Sequence, residues 1–234
     1  MIRITNLLKT FGEIKAVDIA SLAVNPGEIT GLVGNNGAGK TTLFRLILDL
    51  YQADHGNVMS NQKDVAQSED WKHYTGSFLD QNFLIGFLTP EEYFEFIAHL
   101  HHLSIDDLQG FHDRFQPFFN GEINGKKKLI RDYSLGNQIK IGIAAAMMFN
   151  PDVLILDEPF AHLDPSGQIL FKRMLKQFDP NQSKTIFLSS HNLNHITDIC
   201  DRIILIDHGQ VIDDIRTSGE TIRRLEDYFI GQTG

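Results

Sequence analysis

The 234 residues predict an α/β fold, with a mainly parallel central sheet, an antiparallel β portion near the N-terminus and a helical insert. Three observations lead there. Short apolar runs, Val153-Leu154-Ile155-Leu156 and Thr185-Ile186-Phe187-Leu188-Ser189, alternate with helical patterns, as strands covered on both faces do. Residues 2–7 alternate like a half-buried strand, and Lys15 to Val24 continue in β-type pattern before any helix signal. From Thr89 onward, helix starts succeed one another with no strand between them until Val153.

The N-terminal β pattern ends at the turn Asn25-Pro26-Gly27, and Glu28-Ile29-Thr30-Gly31-Leu32-Val33 reads as a buried strand. Thr42 to Leu48 is the next helix, Gln52 to Gly56 a turn, and Asn57-Val58-Met59 a short strand. Thr89-Pro90-Glu91-Glu92 offers a cap residue, a proline at the first helical position and a glutamate that reaches back to the cap, so a helix runs on through Leu100. Ser104 with Asp106-Asp107 opens a second over 104–116, and Ser134 opens a third over Leu135 to Phe149. Pro165 to Phe178 and Asn194 to Cys200 are helical. Arg202 to Asp207 and Gln210 to Asp213 make a hairpin about His208-Gly209, and Glu220 to Phe229 is a short helix. This divides a single domain into a β-containing core, about 1–81 and 150–220, a helical subdomain over about 82–149, and a C-terminal helix and tail over 220–234.

Gly34-Asn35-Asn36-Gly37-Ala38-Gly39-Lys40-Thr41 fits the pattern G-x-x-x-x-G-K-[ST] with no mismatch, between a buried strand and a helix, which makes the core that of a P-loop NTPase. Glycines let the backbone wind closely about phosphate oxygens. Successive N–H groups then form an anion nest at a helix N-terminus. Lys40 supplies a point charge for the β- and γ-phosphates, Thr41 a hydroxyl for Mg²⁺, and Thr42 continues the loop into its helix. Asp157 ends a buried apolar run, so its carboxylate emerges at the carboxyl edge of the sheet, where ligands of open α/β sheets lie. It suits Mg²⁺, directly or through water. Glu158, next in sequence, is the candidate to polarise an attacking water. ATP and Mg²⁺ are the expected ligands.

Composition narrows the field. With 30 acidic against 21 basic residues the net charge is −9, and Lys126-Lys127-Lys128 is too short for a nucleic-acid patch. No run approaches the ~18 apolar residues of a membrane span, and Met1 to Thr5 alternates rather than forming a signal-peptide core. Cys200 has no partner for an intrachain disulfide and is expected to pack as a small apolar side chain. His99, His101 and His102 lack partners at metal-ligand spacing and read as a helix surface. A cytoplasmic protein is the expectation.

Asn150 to Phe160 is similar to the Walker B segment of the ATP-binding subunits of ABC transporters, and the resemblance covers nearly the whole chain. Ala161-His162-Leu163-Asp164-Pro165 resembles the family's D-loop, with Asp164 its acid. His191, after Leu188-Ser189-Ser190, stands where the family has its switch histidine, although an ordinary loop histidine is the other reading. Phe11, in Lys9-Thr10-Phe11-Gly12, stands where an aromatic stacks on adenine, with a core ring as the other reading. Tyr133-Ser134-Leu135-Gly136-Asn137-Gln138 resembles the signature loop, usually L-S-G-G-Q. Ser134 and Gly136 are kept, whereas Tyr133, Leu135 and Asn137 replace Leu, Gly and Gln. The family's Q-loop glutamine falls on Asp80, with Gln81 adjacent, and either is a candidate to contact Mg²⁺ or the water. Asn35 replaces a common Pro at a position that supplies backbone.

The resemblance implies an ATPase in which Glu158, His191 and Lys40 act on ATP held by one chain, while Ser134, Leu135, Gly136 and Asn137 of a second copy, in a homodimer, face its γ-phosphate. Leu135 adds a Cβ at that close approach, which implies reduced affinity or rate. A separate membrane-spanning permease is implied, docked in a groove near Asn82 to Phe87 and the aromatics Tyr93, Phe94 and Phe96, which serve equally well as helix core. The chain would then sit on the inner face of the cell membrane through that partner, and its signature and Q-loop are more similar to export-type than importer subunits. Two other uses of the site stay open: an ATPase serving a protein assembly such as iron–sulfur scaffold machinery, and a nucleotide-dependent binding switch with weak hydrolysis.

Overall fold

The computed structural model describes residues 1–178, 181 and 183–231. Among these, β1 (Ile2–Phe11), β2 (Ile14–Val24), β4 (His55–Ser60) and β5 (Lys63–Asp64) form a four-stranded antiparallel sheet in the order β2-β1-β4-β5. The central sheet comprises β3 (Glu28–Val33), β6 (Thr75–Phe78), β7 (Val153–Leu156), β8 (Thr185–Ser189), β9 (Arg202–Asp207) and β10 (Gln210–Arg216), in the order β10-β9-β3-β8-β7-β6. All its neighbours are parallel except the β9–β10 hairpin. Helix α1 (Lys40–Ile47) follows β3, while α2 (Pro90–Leu100), α3 (Ile105–Phe119) and α4 (Leu135–Met147) lie between β6 and β7. Helices α5 (Pro165–Phe178), α6 (Leu193–Ile199) and α7 (Thr221–Gly231) complete the α/β order. Residues 232–234 of the expected tail lie outside the described residues.

The central strands are buried on both faces because each face meets its own apolar layer. Leu154, Leu156, Ile186 and Leu188 point into the core shared with α2 to α7. Their neighbours Val153, Ile155 and Phe187 point into the core shared with α1 and the antiparallel sheet. This is the two-residue period of a strand, with both phases apolar. The helix starts follow their caps: Thr89 and Ser104 each complete a capping box, with Glu92 and Asp107.

Several boundaries differ from expectation, each for a local reason. Strand β1 runs to Phe11 rather than stopping near residue 7, because a register shift between Lys9 and Thr10 breaks its alternation. Strand β4 starts at His55, inside the expected turn, where β1 lends it a partner. Helix α1 begins at Lys40, capped by the P-loop itself through Gly39. Helix α4 ends at Met147, short of Phe149, and β10 extends beyond Asp213 to Arg216. Strands β5 and β6 carry no apolar run and were not expected. His101 is half-buried rather than open to solvent: its ring lies flat on Phe149, with centroids 3.6 Å apart. Tyr93 and Phe94 are core, whereas Phe96 faces outward.

Candidate functional site: the phosphate loop and its carboxylates

The loop between β3 and α1 turns at Gly39, which caps the helix in the left-handed region at φ 105°. A Cβ there would also lie 2.4 Å from the Ala16 carbonyl oxygen, so only glycine fits. Backbone holds the loop from outside. The Gly209 N–H donates to the Ala38 carbonyl at 2.9 Å, and the Asp18 N–H donates to the Gly209 carbonyl at 2.8 Å. The first turn of α1 carries no acidic residue, so the positive end of its dipole is left to a phosphate. Lys40 folds back over the loop and donates to the carbonyls of Gly34 at 2.7 Å and Asn35 at 3.2 Å. Burial lowers its pKa, against the opposing pull of Glu158 and Asp157. Asn35, Asn36 and Gly37 are exposed, and Thr42 is half-buried in the first turn of the helix.

Asp157 leaves the end of β7 into this space. Its carboxylate accepts from the Thr41 hydroxyl at 2.5 Å and from the Ser189 hydroxyl at 2.5 Å. Burial pushes its carboxyl above the ordinary range, and those two bonds resist the shift. A buried carboxylate beside a hydroxyl is a pair of hard oxygen donors with charge to neutralise, and two protein ligands leave room for phosphate oxygens. These residues fit Mg²⁺. Among the described residues no cluster of three or more His, Cys, Asp or Glu makes a protein-only cage, His99, His101 and His102 included.

Glu158 follows with φ 47°, an uncommon value for a non-glycine residue, and its N–H donates to Ser189 Oγ at 2.9 Å. Its carboxylate meets His191 Nδ1 at 2.8 Å and accepts from the His191 N–H at 3.3 Å. Thus β3–α1, the end of β7 and the end of β8 bring Lys40, Thr41, Asp157, Glu158 and His191 together.

The remaining candidates lie around this centre. Phe11 is 47% exposed at the tip of β1, edge-on to Tyr51 at 5.5 Å, so its ring is outside the core. Asp80 caps the turn at Gln81–Phe83 by accepting from the Asn82 N–H at 2.7 Å and pairs with Arg45 at 3.9 Å. The Asp157 N–H donates to the Phe78 carbonyl at 2.9 Å, which brings the start of that segment beside the site. Ser134 caps α4 by accepting from the Asn137 N–H at 3.3 Å, and Leu135 packs against the helical core. Gly136 comes close to the turn at His162, whose carbonyl oxygen would lie 2.7 Å from a Cβ on that glycine. Asp164 accepts from the Ser166 hydroxyl at the start of α5.

Sequence reasoning missed Ser189, which joins Asp157 to the Glu158 backbone, and the outer supports Ala16 and Gly209. Ser189 was legible only as the end of an apolar strand. The supports act through backbone, which no side-chain pattern encodes.

Fold and site together define a P-loop nucleotide-binding protein. The family model described as "ABC transporter" matches residues 17–161. The bacitracin transport ATP-binding protein BcrA of Enterococcus faecalis is 34% identical over 221 residues, which cover 93% of this chain and 70% of that one. An ATP-binding subunit of an ABC transporter superposes with TM-score 0.86 at 23% identity, covering 100% of both chains. A dimeric ATP-binding cassette in a post-hydrolysis state with ADP and phosphate gives TM-score 0.79 at 23% identity, covering 94% of this chain and 100% of that one. The chain belongs to the ABC transporter family, as one of its ATP-binding proteins.

Proposed function

We propose that this chain hydrolyses ATP in a site completed by a second copy of itself, and that closure of the pair drives transport through a separate membrane-spanning permease. The observation that carries the proposal is Glu158, held by His191 at 2.8 Å and by Ser189 beside the Asp157–Thr41 pair. A carboxylate so fixed, next to a phosphate nest, is placed to orient a water on the γ-phosphate.

In this reading Gly34 to Thr42 bind the phosphates, and Lys40 exchanges its two carbonyl partners for phosphate oxygens. Thr41 and Asp157 would hold Mg²⁺, which supplies charge neutralisation at the β- and γ-oxygens. Phe11 stacks on the base. Asp80 is already engaged with Asn82 and Arg45, so Gln81 is the better Q-loop candidate of the two. Ser134 to Asn137 serve the partner's nucleotide, with Asp164 as the acid of the D-loop. ATP binds the closed pair better than the open one, and hydrolysis reopens it.

In this reading the signature helix α4 is carried by the helical subdomain over about 82–149, and the P-loop by the core over about 1–81 and 150–220. The permease would dock beside Phe83 and Phe87, both exposed, where a cavity of about 340 Å³ is lined by Leu50, Trp71, Phe83, Tyr93 and Ile97. No helix of the described residues is long and apolar enough to cross a membrane, and in this reading a separate chain supplies the pore. Substituting Glu158→Gln tests the core of the reading. ATP binding should persist, turnover should fall by about 10²–10⁴-fold, and ATP should trap a dimer on size exclusion. Unchanged turnover would sink the assignment.

A further inference from the structure

Lys140 is a buried cation that the reaction above does not use. It lies on α4 beyond the signature loop, with its side chain only 5% exposed. Its ammonium is 3.6 Å from Asp164 Oδ1, 3.6 Å from Glu122 Oε2 and 5.9 Å from the centre of the Phe118 ring. A buried charge persists only where opposite charge compensates it. Here two half-exposed carboxylates do so from two different segments, and at 3.6 Å neither holds the ammonium alone. Asp164 closes the turn that begins at Glu158 and opens α5, where its carbonyl accepts from the Gln168 N–H at 2.9 Å. Glu122 belongs to the connection after α3. The close approach of Gly136 to the His162 carbonyl joins the same turn to α4 a second time. The Ser166 hydroxyl, with help from Lys140, holds the Asp164 carboxyl below the ordinary range, so the carboxylate is charged where the ammonium meets it.

We propose that Lys140 is a positioning residue of the ATPase reaction: shared between Asp164 and Glu122, it locks the turn Ala161–Asp164 to the signature helix, so that both partner-facing segments close on the nucleotide as one body. The proposal rests on the two-chain site above. Without the lock, nucleotide still binds its own P-loop, but the partner's contribution arrives out of register. The deficit therefore falls on kcat rather than on KM.

The full chain carries the test. Lys140→Met should lower kcat about 10-fold with KM for ATP changed less than about 2-fold, and Lys140→Arg should restore most of it. The losses of Lys140→Met and Asp164→Asn should be non-additive. A wild-type kcat for Lys140→Met, an arginine variant no better than methionine, or additive losses would overturn the proposal. If Lys140→Met fails to fold, the half-exposed pair Glu122→Gln and Asp164→Asn decides, with coupled losses in kcat supporting and independent losses refuting. Failure of the underlying reading shows separately, as a Glu158→Gln chain that ATP does not dimerise. If that chain dimerises equally well with and without Lys140→Met, only the Lys140 proposal fails.

Discussion

Asp157 is under opposing demands. Burial disfavours its charge, yet that charge is what suits it to a cation. In the nucleotide-free chain the native carboxyl binds its proton more tightly than the unfolded one, so wild type is penalised above the raised pKa and relieved as pH falls through it. Asp157→Asn should therefore raise the melting temperature at pH 7, and the advantage should shrink toward acid pH while turnover is lost. An asparagine variant that melts no higher than wild type at pH 7 contradicts this account. The His191 side chain meets Glu158 through one ring nitrogen, so His191→Ala, which keeps only the backbone N–H contact, should cut kcat by about 10²-fold with ATP affinity retained, as steady-state kinetics and nucleotide titration would separate. At this scale the sequence was legible where chemistry is local. Gly34 to Thr41 and Asp157-Glu158 announce themselves by spacing, whereas the hold of Ser189 on both acids appears only when β7 and β8 lie side by side.

Among the elements, helices with caps were the most legible. Thr89 completes its capping box on an exposed turn, and Thr89→Ala should cost about 1 kcal/mol in denaturant unfolding with ATP binding unchanged. Strands β7 and β8 were equally plain, because a run apolar in both phases admits few alternatives. Strand β6, Thr75-Gly76-Ser77-Phe78, was not legible. Its residues lack β-type alternation, and it is a strand because Thr75 to Phe78 pair in register with Val153 to Leu156. Tertiary pairing overrides weak local preference there. The expected ends of β1 and β4 failed for a related reason, since a bulge at Lys9/Thr10 and a borrowed partner leave no local mark.

Across the whole molecule, aromatic rings join the helical layer to the site. Phe94 stacks on Phe119, Phe118 on Phe171, and Phe171 meets Phe160 at 5.2 Å, two residues beyond Glu158. Phe160 in turn contacts the His195 ring at 4.8 Å, on the helix that follows His191. Phe171 is fully buried at the centre of this series, so Phe171→Ala should cost about 3–5 kcal/mol in denaturant unfolding, and a loss below 1 kcal/mol would show that the rings do not bear on one another. Nothing in the spacing of these phenylalanines announces the series, because its links cross from α3 to α5 and on to the turn after β7. The support of the phosphate loop by Ala16 and Gly209 has a similar long reach. Gly209 has φ 76°, and a Cβ on it would lie 2.7 Å from the Ala16 carbonyl oxygen. A methyl group added there, near the far end of the chain and on a residue with no role in the chemistry, would pry the loop's outer wall from its floor. The seat for ATP is thus inherited from two β-hairpins, and damage to either would register as a binding defect in an otherwise intact fold.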